Sequence, residues 1–132
     1  MAGKKTSSSK KKKKKILSNQ EVENTLLVET AWEVCNQVGG IYTVIRSKVP
    51  AIAKRWGDNY CLIGPYVDSS VMAVFEPITD LSDPFGRAVE RMRGLGLEVH
   101  YGYWLVTGRP RVVLVNIFNI FDYNIVKNIN VF

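Results

Sequence analysis

The pattern of apolar and polar positions divides the first half of the ordered chain into a strand, a glycine turn, a helix and a second strand. Leu26–Glu29 is a short apolar run that predicts a buried strand, with a helix as the alternative because Glu23 and Glu29 flank the run. After the glycine turn at 38–40, the apolar residues of Ile41–Trp56 fall within an arc of roughly 140° on a helical wheel. Tyr60–Gly64 is again apolar. This succession predicts a βαβ unit, and therefore a parallel sheet in an α/β fold.

Pro50 interrupts the predicted helix. Proline has no N–H to donate, and it disfavours helical backbone at the residue before it. We therefore expect one helix to end at Val49 and a second, short helix to begin at Pro50, since proline fits the first position of a helix. The residues Gly-Asp-Asn at 57–59 are typical of a turn and should end the second helix.

The second half of the chain predicts further strands and one more helix. Val71–Ile78 is a mostly apolar run that indicates a strand. A capping aspartate followed by proline predicts a helix over 84–94, which a glycine ends. Glu98–Thr107 alternates with a period of two, and Arg111–Val115 is rich in β-branched residues. These two segments predict a β-hairpin.

The net charge of +6 comes from the beginning of the chain. Eight of the 18 basic residues lie within the first fifteen positions, which leaves ten basic residues against 12 acidic ones in the rest. Residues 1–24, rich in lysine and serine, predict a disordered, solvated tail. A nuclear-localisation or polyanion-binding patch is the alternative for the lysine run. The slightly acidic remainder gives no electrostatic case for nucleic-acid binding.

The sequence indicates an intracellular protein of one domain in size. It has no apolar run near the ~20 residues of a membrane span, and no apolar segment of signal-peptide length follows the lysines. Cys35 and Cys61 are too few for a disulfide framework and show no CxxC spacing, so we expect reduced thiols in a core. The predicted location is the cytoplasm, without contact with a membrane.

The segment Asn116–Phe132 differs in composition from the rest. It uses five Asn, four Ile and three Phe in seventeen residues, with neither glycine nor proline. We interpret it as a segment that is not native to the fold, such as translated non-coding sequence after the true reading frame or exon is left near Val115. The predicted division is therefore a tail over 1–24, a partial domain over 25–115 and an atypical tail over 116–132.

The glycine turn at 38–40 is the main candidate for a ligand site. Glycines let backbone N–H groups approach an anion closely, and a helix N-terminus adds roughly +0.5 of an elementary charge. A strand, a glycine-rich turn and a helix therefore suit a phosphate group. His100 stands alone between aromatic residues, a setting more typical of a packed or exposed histidine than of a catalyst.

Three ordered blocks resemble the catalytic core of animal and fungal glycogen synthases. The first is Glu29–Thr43, with ETAWE and VGGIYT. The second is Trp56–Tyr66, with WGDNY and LIGPY. The third is Val99–Val106, with VHYGYWLV. The blocks occur in the family's order and at similar spacing, and the resemblance covers Leu26–Val115.

The resemblance implies a retaining glycosyltransferase of the GT-B type, which has two Rossmann-like domains. Such an enzyme transfers glucose from UDP-glucose to the non-reducing end of an α-1,4-glucan, without a metal ion or other cofactor. Gly39 and Gly40 would then lie against the diphosphate and sugar of the donor. Where the family usually has a basic residue before Val-Gly-Gly, this chain has Gln37, which can hydrogen-bond a phosphate but adds no charge. His100 occupies a tyrosine position of the family and is assigned no catalytic role.

The resemblance covers only part of the family's catalytic core. The second domain of the family holds the catalytic carboxylate, much of the UDP site and the sugar-phosphate regulatory site. We therefore expect an amino-terminal fragment with an incomplete first Rossmann-like domain and no catalytic residue of its own. This chain alone should not transfer glucose. The implied partners are UDP-glucose, glycogen, the primer protein glycogenin and further copies of the synthase.

Two other classes of function remain open from the sequence. The chain could be a non-catalytic module that binds a sugar nucleotide or docks on full-length subunits, or a polyanion binder that acts through its lysine run. Bacterial and plant starch or glycogen synthases share the architecture but generally show Lys-x-Gly-Gly-Leu. The sequence from Gln37 to Ile41 fits the animal and fungal branch better.

Overall fold

The computed structural model describes residues 16–119, which form a mixed α/β fold. The helices and strands follow in the order α1 (Asn19–Glu23), β1 (Leu27–Thr30), α2 (Gly40–Trp56), β2 (Tyr60–Pro65), β3 (Phe75–Pro77), α3 (Pro84–Gly94), β4 (Val99–Trp104) and β5 (Arg111–Val115). Short 3₁₀ turns lie at Gly57–Asn59, Ser69–Val74 and Ile117–Asn119. No helix in the described range is long and apolar enough to cross a membrane.

The five strands form one mixed sheet in the order β1-β2-β5-β4-β3. Strands β1, β2 and β5 are parallel neighbours, which confirms the predicted βαβ unit around α2. Strand β4 runs antiparallel to β5, which confirms the predicted hairpin, and β3 pairs antiparallel with β4. The hairpin turn contains Gly108 at a φ of 93°, in the left-handed region that favours glycine.

Apolar side chains cover the sheet on both faces. On one face, Leu62 of β2 and Val112 of β5 pack with Ile45 and Val49 of α2. On the other face, the intervening residues of the same strands pack with α3 in a second cluster, whose buried members are Cys61, Phe85, Val89, Val99, Tyr101 and Val113. Parallel strands between two helical layers are typical of a Rossmann-like domain.

The prediction of a helix break at Pro50 was wrong. Helix α2 runs without interruption from Gly40 to Trp56, with Pro50 inside it. Val49 is fully buried before the proline, and Ile52 and Ala53 pack against the same core after it. Burial of one continuous apolar face therefore outweighs the local cost of about 3 kcal/mol for proline in a helix interior.

Two further predictions need correction. The strand expected over Val71–Ile78 is reduced to Phe75–Pro77, because Ser69–Val74 forms 3₁₀ turns that Asp68 caps through the N–H of Ser70. The expectation of disorder over 1–24 does not hold for the last residues of that range. Residues 19–23 form α1, which a reciprocal pair of hydrogen bonds between Ser18 and Glu21 caps. The predictions for 1–15 and 120–132 fall outside the described residues.

Candidate ligand site at the glycine turn

The glycine turn connects the carboxyl end of β1 to the first turn of α2. Gly39 is the N-cap of α2, and Gly40 is its first helical residue. The carboxyl ends of parallel strands are where ligands of open α/β sheets bind. The structure therefore places the predicted glycines at the start of a helix that follows a strand of the parallel part of the sheet.

The connection between β1 and α2 lies directly against β2. The N–H of Ala31 donates to the carbonyl of Ile63 at 3.0 Å. A Cβ on Gly64 would lie only 2.7 Å from the Cβ of Val34, so the close approach depends on glycine at this position. Cys35 then takes a φ of 57°, in the left-handed region, where the chain reverses towards the helix.

A buried carboxylate occupies part of the predicted anion site. The side chain of Glu33, which is 4% exposed, accepts hydrogen bonds from the N–H groups of Val38 and Gly39 through Oε1. Its Oε2 accepts from the N–H of Tyr42 at 3.1 Å. A negative charge is favourable at the N-terminus of a helix. The protein thus supplies its own anion for three N–H groups of the turn.

The remaining N–H groups of the first helical turn are those of Gly40 and Ile41. These groups have no intrahelical partner by helix geometry, and no side chain within residues 16–119 accepts from them. A Cβ built on Gly40 would meet no atom within 4 Å, whereas one on Gly39 would contact Oε1 of Glu33 at 3.5 Å. Gly40 is therefore the more open of the two predicted glycines.

A polar groove of about 330 Å³ extends from the turn along the side of α2. Its lining consists of an amide, a phenol, three hydroxyl groups and one guanidinium, from Gln37, Tyr42, Thr43, Arg46, Ser47 and Thr107. The guanidinium carbon of Arg46 lies 5.6 Å from the ring centre of Tyr42. Helix geometry places Arg46 about 9 Å beyond Gly40 along the axis. The groove thus joins Gln37 to a cation.

Arg46 is a candidate that sequence reasoning missed. It lies four residues after Tyr42 and three after Thr43, so the three side chains share one helical face. That polar face, which begins directly after the glycine turn, was the available signal. Arg46 places a positive charge on the same groove that Gln37 lines.

A second cavity, also of about 330 Å³, lies at the carboxyl ends of the three parallel strands. Its lining is largely apolar and comes from Thr30, Ala31, Trp32, Ile63, Gly64, Pro65, Val115 and Ile117. Trp32 is 54% exposed there, so its indole can report on changes at this edge.

The other titratable candidates lie elsewhere. The ring of His100 stacks on Tyr66 at 4.3 Å, and its Nε2 lies 3.0 Å from Glu98. Both cysteines are free and buried, and burial raises the pKa of Cys35 and of Cys61 to about 12. Within residues 16–119, no group of three His, Cys, Asp or Glu side chains could hold a metal ion.

The sequence model of the family described as glycogen synthase matches residues 29–126 of this chain. The chain belongs to the glycogen synthase family. It is 49% identical over 96 residues to the liver glycogen [starch] synthase of Homo sapiens, a match that covers 73% of this chain and 14% of the relative. Family membership and the mixed α/β fold agree with the predicted partial Rossmann-like domain of a GT-B glycosyltransferase.

More distant members of the glycogen synthase family match the same part of the chain. The glycogen [starch] synthase of Dictyostelium discoideum is 40% identical over 100 residues, covering 74% of this chain and 11% of the relative. That of Neurospora crassa is 38% identical over 104 residues, covering 79% and 15%. The chain therefore spans only about a seventh of the length of such relatives. The family match runs past Val115 to residue 126, and the predicted boundary at 115 stays a prediction.

Proposed function

We propose that this chain carries part of the donor site of a glycogen synthase, which transfers glucose from UDP-glucose to the non-reducing end of an α-1,4-glucan. Gln37, Gly39 and Gly40 are its proposed contacts with UDP-glucose. The observation that carries the proposal is the open backbone at Gly40, in a turn that matches the family and adjoins the polar groove. A methyl-sized space beside an unpaired N–H group suits close approach of a phosphate or a sugar hydroxyl.

In the proposed site, backbone N–H groups and side chains make different contacts with the ligand. The N–H groups of Gly40 and Ile41 are the available backbone donors, since Glu33 occupies those of Gly39 and Tyr42. Gly39 would then contribute through the absence of a side chain rather than through its N–H. The amide of Gln37 and the guanidinium of Arg46 provide side-chain donors along the groove.

A pair of glycine substitutions tests this site. Gly40→Ala places a methyl group where the ligand would lie, yet meets no atom of the free protein. We expect the Kd for UDP-glucose to rise about tenfold, because a clash of about 1–3 kcal/mol falls on the complex alone. The free energy of unfolding should stay equal or rise by about 0.4–1 kcal/mol, as for other helical Gly→Ala changes. Tryptophan fluorescence, to which the exposed Trp32 contributes, follows the titration.

Gly94→Ala is the matched control, because Gly94 also lies in a helix with no atom within 4 Å of its added Cβ. It should leave the Kd unchanged. Equal UDP-glucose affinity in Gly40→Ala and in the unsubstituted chain would contradict the proposed contact at Gly40. Failure of the unsubstituted chain to bind would contradict the donor site itself.

We further propose that the 132-residue polypeptide does not transfer glucose by itself. The resemblance assigns no catalytic carboxylate to these residues, and the match covers 14% of the human relative. Incorporation of radiolabelled glucose into glycogen by the purified chain should equal the blank. Turnover above the blank would refute this proposal.

The proposals for the remaining partners and for the location rest on the resemblance to the family alone. We propose that the protein acts in the cytoplasm on glycogen and assembles with glycogenin and with further copies of the synthase. Co-precipitation of the tagged chain with glycogenin from a mixture of the two purified proteins would support the assembly. Its absence at micromolar concentration would count against it.

A further inference from the structure

Glu33 is a buried acid that the proposed binding residues do not include. Its carboxylate is 4% exposed and, within the described part of the chain, forms no ion pair with a Lys, Arg or His side chain. A buried charge without a cation is costly unless hydrogen bonds compensate it. Here the compensation comes from three backbone N–H groups and from the N-terminus of α2.

The three hydrogen bonds join residues on both sides of the open glycine. Oε1 binds the N–H groups of Val38 and Gly39, which precede Gly40, while Oε2 binds the N–H of Tyr42, which follows it. The carboxylate therefore clamps the turn around Gly40. Tyr42 is fixed in addition by edge-to-face packing on Trp104, at 5.6 Å between ring centres, and Trp104 is fully buried.

We infer that Glu33 is a positioning residue of the proposed donor site, holding the glycine turn in the shape that leaves Gly40 open to the ligand. The inference rests on the proposed function, because it takes UDP-glucose as the ligand. It assigns Glu33 no contact with the donor. The carboxylate acts through the N–H groups of its neighbours.

An opposite account makes the opposite prediction. If the donor diphosphate bound the same N–H groups as Glu33, the two anions would compete, and removal of the charge would tighten binding. If Glu33 positions the turn, removal of the charge loosens the turn and weakens binding. The sign of the change in Kd distinguishes the two accounts.

Glu33→Gln is the sharpest variant, because it keeps the size of the side chain but replaces one acceptor oxygen by an NH₂ donor. In the full 132-residue chain, amide exchange at Gly39 or at Tyr42, whichever then faces the NH₂ group, should become at least about tenfold faster, because the one remaining oxygen can accept on only one side of the turn. The Kd for UDP-glucose should rise about tenfold or more. Glu33→Asp, whose shorter side chain cannot reach both sides of the turn, should behave in the same direction.

Glu29→Gln is the matched control. Glu29 lies four residues earlier, on β1, and its carboxylate pairs with Lys48 and accepts from the hydroxyl of Tyr60 instead of contacting the turn. This variant should leave amide exchange at Gly39 and Tyr42 and the affinity for UDP-glucose unchanged. The control thus shows whether an effect is specific to the carboxylate of Glu33 or follows from the loss of any carboxylate nearby.

The two arms separate failure of the inference from failure of the proposed function. Unchanged exchange at Gly39 and Tyr42 in Glu33→Gln, or equal or tighter UDP-glucose binding, would overturn the inference. If the unsubstituted chain binds no UDP-glucose, the proposed function falls and takes the donor role of Glu33 with it. The measurement of amide exchange in Glu33→Gln then still shows whether Glu33 holds the turn.

Discussion

Replacing Arg111 by methionine is expected to lower the free energy of unfolding by about 2–3 kcal/mol. Arg111 begins the central strand β5, and its side chain is 14% exposed. Its Nη1 donates to Oδ2 of Asp83 at 3.0 Å and to the hydroxyl of Tyr101 at 3.1 Å. Asp83 also caps α3 through the N–H of Phe85. The guanidinium therefore joins α3 to β4 and β5.

The expected loss of about 2–3 kcal/mol depends on how far the ion pair between Arg111 and Asp83 is shielded from water. Removing one partner of a fully buried ion pair costs about 3–5 kcal/mol. Asp83 keeps 24% of its side-chain exposure, which lowers the expected cost. The buried Nε of Arg111 has no acceptor among the described residues, and its loss removes one unfavourable contribution. Arg111 also lies 3.4 Å from a carboxylate oxygen of Asp58, but the Asp58 side chain is 83% exposed. This ion pair therefore adds little to the free energy of unfolding.

Arg109→Met is the control, because Arg109 lies in the same hairpin but pairs with Glu76 at the surface. These side chains are 54% and 50% exposed, so the loss should stay below about 1 kcal/mol. Urea unfolding followed by circular dichroism measures both variants, and thermal unfolding should shift by about 4–8 °C per kcal/mol. Equal losses for Arg109→Met and Arg111→Met would refute the reasoning from burial.

Two further predictions concern the core. Burial raises the pKa of Cys35 and of Cys61 from 9.0 to about 12. Between these two values the thiols stay protonated in the folded chain but ionise in the unfolded chain. The free energy of unfolding should therefore fall as pH rises from 9 towards 12. Urea midpoints between pH 8 and 11 test this, and a flat profile would contradict it. Pro50→Ala should raise the free energy of unfolding by about 1–2 kcal/mol, since a restored helical N–H outweighs the added freedom of the unfolded chain. A lower urea midpoint would show that the proline ring is needed for packing.

Local patterns predicted the elements whose own residues show a clear apolar period or a turn signal. The apolar runs around the glycine turn predicted β1, β2 and a helix between them, although not its continuity through Pro50, and the alternation before Gly108 predicted the hairpin. Their common property is that burial and turn chemistry agree with the local pattern. The resemblance to glycogen synthases, which rests on the same segments, is confirmed by the family match.

Features set by tertiary contacts could not be predicted in the same way. Pro50 opposes a helix locally, but Val49 and Ile52 keep the helix continuous because both pack on the sheet. Ile41 and Val44 belong to the predicted apolar face, yet each is 56% exposed. The pattern places residues on a helix face but does not say how far the sheet extends beneath that face.

The hydrogen bonds of Glu33 in the candidate site likewise could not be predicted from a local sequence pattern. The glycine turn could be predicted as an anion site from its backbone, whereas Glu33 entered only as part of a resemblance. No local pattern shows that a carboxylate five to nine residues earlier folds back onto these N–H groups. An acid placed between a strand and a glycine turn was the available signal, and its meaning depends on the reversal at Cys35.

Chemical-shift mapping of UDP-glucose on the isotope-labelled 132-residue chain tests the central claim most directly. The account predicts saturable shifts concentrated at the amides of Gly40 and Ile41 and along the groove as far as Arg46. The Gly40→Ala variant should need about tenfold more ligand for the same shifts. Absence of shifts at millimolar UDP-glucose, or shifts confined to the lysine-rich beginning of the chain, would contradict a donor site at the glycine turn.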